Sequence, residues 1–130
     1  MKIYVAGKKL DRAQSVMKIL RDSGHQITYD WANKFSGDKP KERSRKELEG
    51  LRSADVLIYL WERDQESARY EAGMAMGLGK PIIVSGKHDS FFFNLPNIHR
   101  VDSDDRIIFA IMTVTETGQG STLKRAPNPS

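Results

Sequence analysis

The sequence has no cysteine among its 130 residues, which excludes a disulfide framework, a thiol nucleophile and a cysteine metal site. It has no apolar run near the roughly 18 residues that a membrane span requires, and the apolar segment at its start is too short for a signal peptide. It lacks a P-loop and a GxGxxG turn after the first strand pattern, which argues against P-loop enzymes and dinucleotide-binding domains. Its three histidines do not have metal-ligand spacing. We therefore expect a cytoplasmic protein without a metal, a cofactor or a membrane partner.

The positive charge of the chain is moderate and scattered. The formal net charge is +4 and the sequence pI is about 9.4, which suits an anionic ligand. The cations are spread between Lys8 and Lys9, the segment 39–46 and the C-terminal segment, without the interleaved aromatic residues of a nucleic-acid surface. This distribution favours a phosphate-bearing small molecule over DNA or RNA as the partner.

Length and composition predict one domain followed by a flexible tail. A chain of 130 residues can bury one core, amounting to roughly 70% of its unfolded surface. Residues 1–117 carry the apolar patterns, whereas residues 118–130 are rich in Gly, Ser, Thr and Pro and have no apolar stripe. We expect that tail to be mobile and dispensable.

Apolar patterns typical of strands alternate with patterns typical of helices. This alternation predicts an α/β protein with an open five-stranded parallel sheet in the order 2-1-3-4-5 and helices on its faces. The strand patterns cover residues 3–6, 26–31, 56–60, 82–84 and 98–101. The helix patterns run from Gly7 to Gly24 and over residues 41–54, 67–78 and 103–112.

One carboxylate, Glu71, stands in the first turns of the helix that follows the most apolar strand pattern, where open α/β sheets place active sites. Ser67 is expected to cap this helix, and small residues within 72–77 allow close packing before Gly79 ends it. The helix dipole and the unpaired amides favour the ionised form of Glu71, by about 0.3 to 1 kcal/mol when exposed. An ionised carboxylate can act as a nucleophile. The alternative is that Glu71 is one of the acids common in first turns.

The helix and the strand after it resemble the nucleoside 2-deoxyribosyltransferase-like family. Residues 71–75 read EAGMA and residues 79–81 read GKP, which is similar to the family's pattern of glutamate, apolar residue, glycine, any residue and alanine before glycine-lysine-proline. The resemblance covers about residues 1 to 115 and is supported by KIYVAG at 2–7, by AD at 54–55, and by Phe92, Leu95 and Pro96.

This resemblance implies a flavodoxin-like fold and cleavage or exchange of the N-glycosidic bond of a nucleoside or nucleoside 5′-monophosphate, with Glu71 as the nucleophile. Such a bond breaks through an oxocarbenium-like state, which a carboxylate under the anomeric carbon can attack or stabilise. Two other functions stay open: a non-catalytic nucleotide-binding or sensor protein on the same fold, and an oligomeric scaffold without a ligand. Acids and aromatic residues gathered at strand ends disfavour the scaffold.

Glu47 and Tyr4 are further candidates for the site. Glu47 stands beside the inward stripe of the second helix, which Leu51 and Ala54 mark. The family commonly has an aspartate at this spacing, and the resemblance implies that Glu47 orients the sugar or handles the proton. The alternative for Glu47 is an exposed ion pair with Arg43. For Tyr4, the resemblance favours a hydroxyl that reaches the site over simple burial.

The loop before the helix glutamate departs from the family pattern and offers groups for a 5′-phosphate. Ser67 and Arg69 could bind a phosphate together with the helix amides. Lys8 and Lys9 follow the Gly7 turn, where family members bind the phosphate or the sugar edge largely through backbone groups. We therefore expect a 5′-monophosphate to be preferred. The alternatives are an N-cap role for Ser67 and solvated side chains for the cations.

Acids in the same loop favour the opposite preference. Asp64 could bind a sugar hydroxyl, and Asp64 together with Glu66 would repel a phosphate if both face inward. In that case a neutral nucleoside would be the better substrate.

Trp31 and Trp61 each come at the carboxyl end of a predicted strand, so both could offer a stacking face to a nucleobase in one crevice. Either could instead belong to the core. The phenylalanines at 91–93 are too many for a solvated loop, and we expect them to cover the pocket or a subunit contact.

The helix segment 72–78 carries more small and flexible apolar residues than one sheet face needs, which predicts a homodimer or a higher homo-oligomer. The resemblance also implies a site completed across subunits. Ser90 and Asn94, in the late loop, are then expected to touch the ligand of the neighbouring subunit.

Overall fold

A computed structural model describes residues 1–34 and 37–117, with the side chains of 115–117 left undescribed. The expectation for the tail at 118–130 therefore lies outside the described residues. The strands are β1 (Lys2–Ala6), β2 (Gln26–Ile27), β3 (Val56–Leu60), β4 (Ile82–Ser85) and β5 (Ile98–Val101). The α-helices are α1 (Leu10–Asp22), α2 (Pro40–Ser53), α3 (Ser67–Gly77) and α4 (Ile107–Thr117), and short 3-10 turns cover Phe91–Asn94 and Asp104–Arg106.

The strands form one parallel sheet in the order β2-β1-β3-β4-β5, as the alternating pattern predicts. β1 pairs with β3 from Ile3 opposite Val56 to Ala6 opposite Tyr59, and it pairs with β2 on its other edge. The reversal of strand order beside β1 makes the carboxyl ends of β1 and β3 the place where a crevice opens. The predicted α/β, flavodoxin-like fold is confirmed.

Helices cover both faces of the sheet, and each face has its own core. The first core joins α1 and α4 to alternate strand residues such as Val5 and Ile58, and the second joins α2 and α3 to the residues between them, such as Tyr4 and Tyr59. Successive residues of a strand point to opposite faces, so β1 sends Tyr4 toward the α2–α3 layer and Val5 toward the α1–α4 layer. All five residues of β3 are buried, which agrees with a strand covered on both sides.

Glycine allows α2 to pass close to β1. A Cβ atom placed on Gly50 would lie 2.9 Å from the Cβ of Tyr29 and 3.3 Å from Cδ1 of Tyr4. Glycine at position 50 therefore lets α2 pack directly against the ring of Tyr4.

The second strand ends earlier than predicted. β2 has two residues, because the side chain of Asp30 turns the chain: its Oδ1 accepts a 2.8 Å hydrogen bond from the backbone N–H of Asn33 and a 3.2 Å bond from that of Ala32. Trp31 consequently lies in a turn.

Two helix starts also differ from the predictions. α3 begins at Ser67, Glu66 occupies the N-cap position, and no side chain makes a capping bond there, so the predicted Ser67 cap is wrong. The segment predicted to cap the last helix instead forms the Asp104–Arg106 turn, after which α4 runs from Ile107 to Thr117.

Candidate functional site

Glu71 is a buried acid on a helix and is only 8% exposed. It is the fifth residue of α3, on the side of the helix that faces the sheet. The phenol of Tyr4, on β1, donates a 2.6 Å hydrogen bond to Glu71 Oε2. Tyr4 itself is fully buried, so this bond fixes one carboxyl oxygen and leaves the other for further contacts.

Glu47 brings a second carboxyl group to the same place from α2. Its side chain is 23% exposed, and its carboxyl group lies close enough to that of Glu71 to raise the pKa of Glu71. Glu47 Oε2 also lies 3.6 Å from the guanidinium of Arg43, one helical turn away. Glu47 therefore both faces Glu71 and pairs with Arg43, two arrangements that the sequence analysis treated as alternatives.

The surroundings hold Glu71 in its protonated form at neutral pH. The pKa of Glu71 is raised to about 8: burial is the largest cause, the hydrogen bond from Tyr4 acts in the opposite direction, and Glu47 adds to the rise. This outcome is opposite to the expectation from the helix dipole, because Glu71 lies beyond the first turn and the loss of water outweighs a dipole effect of about 1 kcal/mol. Burial, followed by the charge of Glu71, also raises the pKa of Tyr4, which remains a hydrogen-bond donor.

A groove of about 550 Å³ opens over this carboxyl pair, between α2 and α3. Most of its wall area is apolar, and the charged residues Lys41, Glu42 and Arg45 line it together with Glu47 and Glu71. Such a surface, which combines apolar area with charged groups, suits a small organic molecule that carries polar groups. The apolar walls come from Leu48, Leu51, Tyr70 and Met74.

A second cleft, of about 570 Å³, lies at the carboxyl end of β1 and the start of α3. Gly7 and Lys8 form one side, and residues 64–68 form the other. Ser67 lines both this cleft and the groove, and it precedes Glu71 by one helical turn. Ser67 therefore stands between the two spaces, close to the carboxyl pair.

An aromatic cleft of about 250 Å³ lies on the opposite flank of α3. The rings of Trp61 and His88 stack there with centroids 4.0 Å apart, and Phe93 meets His88 edge-on. Arg69 and Ser90 also line this cleft, and Nη2 of Arg69 donates to the backbone carbonyls of residues 62 and 63 at 3.3 Å.

The structure therefore gathers some of the sequence-predicted residues and separates others. Glu71, Glu47, Tyr4 and Ser67 meet at the groove. Gly7, Lys8 and Asp64 lie with Ser67 in the second cleft. Trp61, Arg69 and Ser90 lie in the aromatic cleft, away from Glu71.

Three further predicted residues stand apart from the carboxyl pair. Trp31 packs on the α1–α4 face and donates from Nε1 to the carbonyl of Val5 at 2.8 Å, so it does not share a crevice with Trp61. The side chain of Lys9 is 68% exposed, and its Nζ lies 3.5 Å from a carboxyl oxygen of Glu62. Asn94 donates to the carbonyl of Phe91 within its own turn.

The sequence analysis missed the cluster centred on Arg12. The guanidinium donates to both carboxyl oxygens of Asp104, at 2.7 and 2.8 Å, and to the backbone carbonyls of Trp61 and Ser85 at 2.7 and 3.0 Å. Ser85 Oγ donates to the same carboxylate at 2.6 Å. Desolvation opposes ionisation of Asp104, but the bonds from Arg12 and Ser85 leave its pKa below the usual value. These partners are 49, 73 and 92 residues from Arg12 in sequence, so no local pattern reveals them.

The described ranges 1–34 and 37–117 hold no group of three or more His, Asp or Glu side chains arranged to bind a metal ion. Within the same residues, no helix combines the length and apolar character needed to cross a membrane.

Comparison with known proteins places the fold. No protein-family model and no curated protein sequence matches the chain. Among solved structures, a CMP N-glycosidase, BcmB, from Clostridium botulinum matches with a TM-score of 0.65 at 12% identity, over 87% of this chain and 99% of that one. A 2-deoxyribosyltransferase from Bacillus psychrosaccharolyticus matches with a TM-score of 0.61 at 20% identity, over 82% of this chain and 90% of that one. The chain thus has a nucleoside 2-deoxyribosyltransferase-like fold.

Proposed function

We propose that the protein cleaves or exchanges the N-glycosidic bond of a nucleoside or nucleotide, with Glu71 as the nucleophile. The observation that carries this proposal is the buried carboxyl group of Glu71, bonded to Tyr4 and coupled to Glu47 at the rim of an open groove. A buried acid with a perturbed pKa and a second acid beside it is typical of catalytic sites.

The structural neighbours support the same class of chemistry. One is described as a CMP N-glycosidase and the other as a 2-deoxyribosyltransferase, so both descriptions involve the bond between a base and a sugar. At 12% and 20% identity these likenesses establish the fold, and the choice of reaction rests on the residues of this chain.

In the proposed reaction, Glu71 Oε1 attacks the anomeric carbon while Tyr4 holds Oε2. The bond from that carbon to the base nitrogen breaks, and its electron pair stays with the base, which takes a proton from Glu47. One proton on the carboxyl pair is sufficient: when it lies on Glu47, Glu71 is the ionised nucleophile. Water, or the nitrogen of a second base, then attacks the sugar carbon, gives its proton to Glu47 and releases Glu71 as a carboxylate.

A second candidate function is a nucleotide-binding or sensor protein without turnover. The observation that favours it is the raised pKa of Glu71, near 8, because a protonated carboxyl group is a poor nucleophile. Measurement of free base separates the two functions, since a sensor binds a nucleoside without releasing base.

The decisive experiment incubates the protein with the common ribonucleosides, 2-deoxyribonucleosides and their 5′-monophosphates, and measures released base by chromatography. We expect release from at least one compound at pH 8, and loss of nearly all release in Glu71→Gln, because the amide keeps the size of the side chain and cannot attack as an anion. Glu49→Gln, an exposed acid on α2, serves as the control with unchanged activity. Equal turnover by a folded Glu71→Gln variant would remove Glu71 from the mechanism.

A covalent intermediate provides independent support for the nucleophile. A slow 2-fluoro nucleoside should leave an adduct of sugar mass on the peptide that contains Glu71. Mass spectrometry after proteolysis locates it, and an adduct on another residue would reassign the nucleophile.

We also propose that the active form is a homodimer or a higher homo-oligomer. The outward face of α3, extended by its C-cap residue Leu78, carries exposed apolar side chains, with Tyr70 at 64% and Leu78 at 56%, and nothing within 4 Å would contact a Cβ atom on Gly73 or Gly77. A smooth apolar helix face of this kind suits the close approach of a second copy.

A further inference from the structure

The cleft formed by Gly7, Lys8 and residues 64–68 has an excess of negative charge. Of the described residues that line it, Asp64 and Glu66 are acids and Lys8 is a cation. All three are exposed, so their charges face water and any ligand that enters the cleft. Glu66 also occupies the N-cap position of α3, so a carboxylate already stands at the end of the helix that would attract an anion.

Three other cations of this region have partners outside the residues that line the cleft. Lys9 pairs with Glu62, and Arg12 holds Asp104 and the backbone at the ends of β3 and β4. Arg69 lines the aromatic cleft on the opposite flank of α3 and donates to backbone carbonyls there. The expected phosphate preference depended on Lys8, Lys9, Ser67 and Arg69 lying together, and the structure brings only Lys8 and Ser67 into one cleft.

The position of the cleft fixes which part of a nucleoside it would meet. If the anomeric carbon lies at Glu71, the apolar groove lined by Leu48, Leu51 and Met74 suits the base. The sugar then extends past Ser67, the residue that both spaces share, toward Asp64 and Glu66.

We infer, on the basis of the proposed glycosidic chemistry, that this cleft receives the hydroxyl end of the sugar, and that the protein acts on nucleosides with a free 5′-hydroxyl in preference to 5′-monophosphates. A hydroxyl group can donate a hydrogen bond to a carboxylate, whereas a phosphate dianion has no proton to donate and is repelled by two carboxylates. Lys8 alone offsets only part of that repulsion.

The test measures kcat/KM for base release from matched pairs of a nucleoside and its 5′-monophosphate. We expect the nucleoside to be favoured by about tenfold or more in the wild type, and the ratio to fall as salt screens the repulsion. Asp64→Asn and Glu66→Gln should each lower the ratio, whereas Lys8→Met should raise it. Asp22→Asn removes one negative charge from an exposed position at the end of α1 and should leave the ratio unchanged.

A preference for the monophosphate, or a ratio unchanged in both acid variants, would overturn the inference while leaving the proposed chemistry intact. Absence of base release from every compound would instead count against the proposed function. In that case, calorimetry measures binding of the same nucleoside and monophosphate pairs to Glu71→Gln, a substitution that leaves the residues of the cleft unaltered. Tighter binding of the nucleoside supports the inference. Equal or tighter binding of the monophosphate overturns it.

Discussion

Tyr4 and Glu71 are separated by 67 residues in sequence and joined by a 2.6 Å hydrogen bond in the interior of the protein. The bond links the central strand β1 to α3, and it is the contact through which the sheet holds the candidate nucleophile in place. Hydrogen bonds to an ionised group stabilise it by about 1.5 to 3 kcal/mol, so this bond favours the charged form of Glu71 against the cost of burial.

Tyr4→Phe should therefore lower kcat/KM for base release by roughly tenfold to a hundredfold. Because the bond from Tyr4 lowers the pKa of Glu71, its loss should also move the falling limb of the kcat/KM profile, where the carboxyl pair loses the proton that Glu47 gives to the base, to a higher pH than the wild-type value near 8. Tyr59→Phe is the matched control, since Tyr59 is 2% exposed on the same face of the sheet and its ring lines the aromatic cleft. An unshifted profile in Tyr4→Phe would show that the bond does not tune Glu71.

Glu71 should make the protein less stable as the pH rises. In the unfolded chain its carboxyl group loses its proton near pH 4.5, whereas the folded protein retains the proton until about pH 8. The unfolded state is therefore favoured progressively between these two values, and the effect is constant above the upper one. Glu71→Gln, which cannot ionise, should gain stability over the wild type across this range, reaching a difference on the order of 2 to 5 kcal/mol.

Urea unfolding at several pH values between 5 and 9 measures this difference. The exposed Glu49→Gln should show no such trend. A constant difference between Glu71→Gln and the wild type would mean that burial does not suppress ionisation of Glu71.

Two glycines on helices should respond to alanine with opposite signs. Gly50→Ala places a Cβ atom 2.9 Å from Tyr29 Cβ and against the Tyr4 ring, so α2 must move away from β1. Overpacking costs about 1 to 3 kcal/mol, of which the better helix propensity of alanine offsets up to about 1. Gly73→Ala, with open space around the new methyl group in a single copy of the chain, should instead stabilise the monomer slightly, so both variants are compared at a concentration low enough to dissociate the proposed oligomer. Chemical denaturation compares the pair, and a stabilised Gly50→Ala would contradict the packing described for α2.

Leu78→Lys should lower the molecular mass measured by light scattering, because it places a charge on the apolar face of α3 that we assign to subunit contact. Met112→Lys is the matched control: Met112 is 54% exposed, close to the 56% of Leu78, but it lies on α4 across the sheet. A wild-type protein that is monomeric at assay concentration would refute the oligomer.

The strands and helices could be predicted from the sequence because the patterns that indicate them are local. Apolar strand runs predict the strands, and the 3.6-residue period of α1 predicts the buried positions Ala13, Val16 and Leu20. The strand order was expected as the one typical of open α/β sheets of this length, and the structure has it. The end of β2 was missed because a side chain of Asp30 forms the turn, which outweighs the strand propensity of the residues around it. Periodicity alone does not reveal such a competition.

The candidate site was only partly predictable. The resemblance singled out Glu71, Glu47 and Tyr4, which the structure brings together. The two tryptophans were expected in one crevice because both follow strand patterns, yet they lie on opposite faces. A shift of one residue at the end of a strand turns a side chain to the opposite face of the sheet. Sequence patterns do not locate strand ends to within one residue.

The two faces of the sheet differ in what they contribute. Tyr4, Glu47 and Glu71 all belong to the layer formed with α2 and α3, whereas α1 and α4 supply packing and the Arg12 cluster on the other side. The effect of a substitution on activity and stability should therefore depend on the layer in which it lies. A change beneath α1 or α4 reaches the chemistry only by loosening the fold as a whole, and activity and melting temperature should decline together. Changes between α2 and α3 can silence the chemistry while the protein stays as heat-resistant as before, or becomes more so.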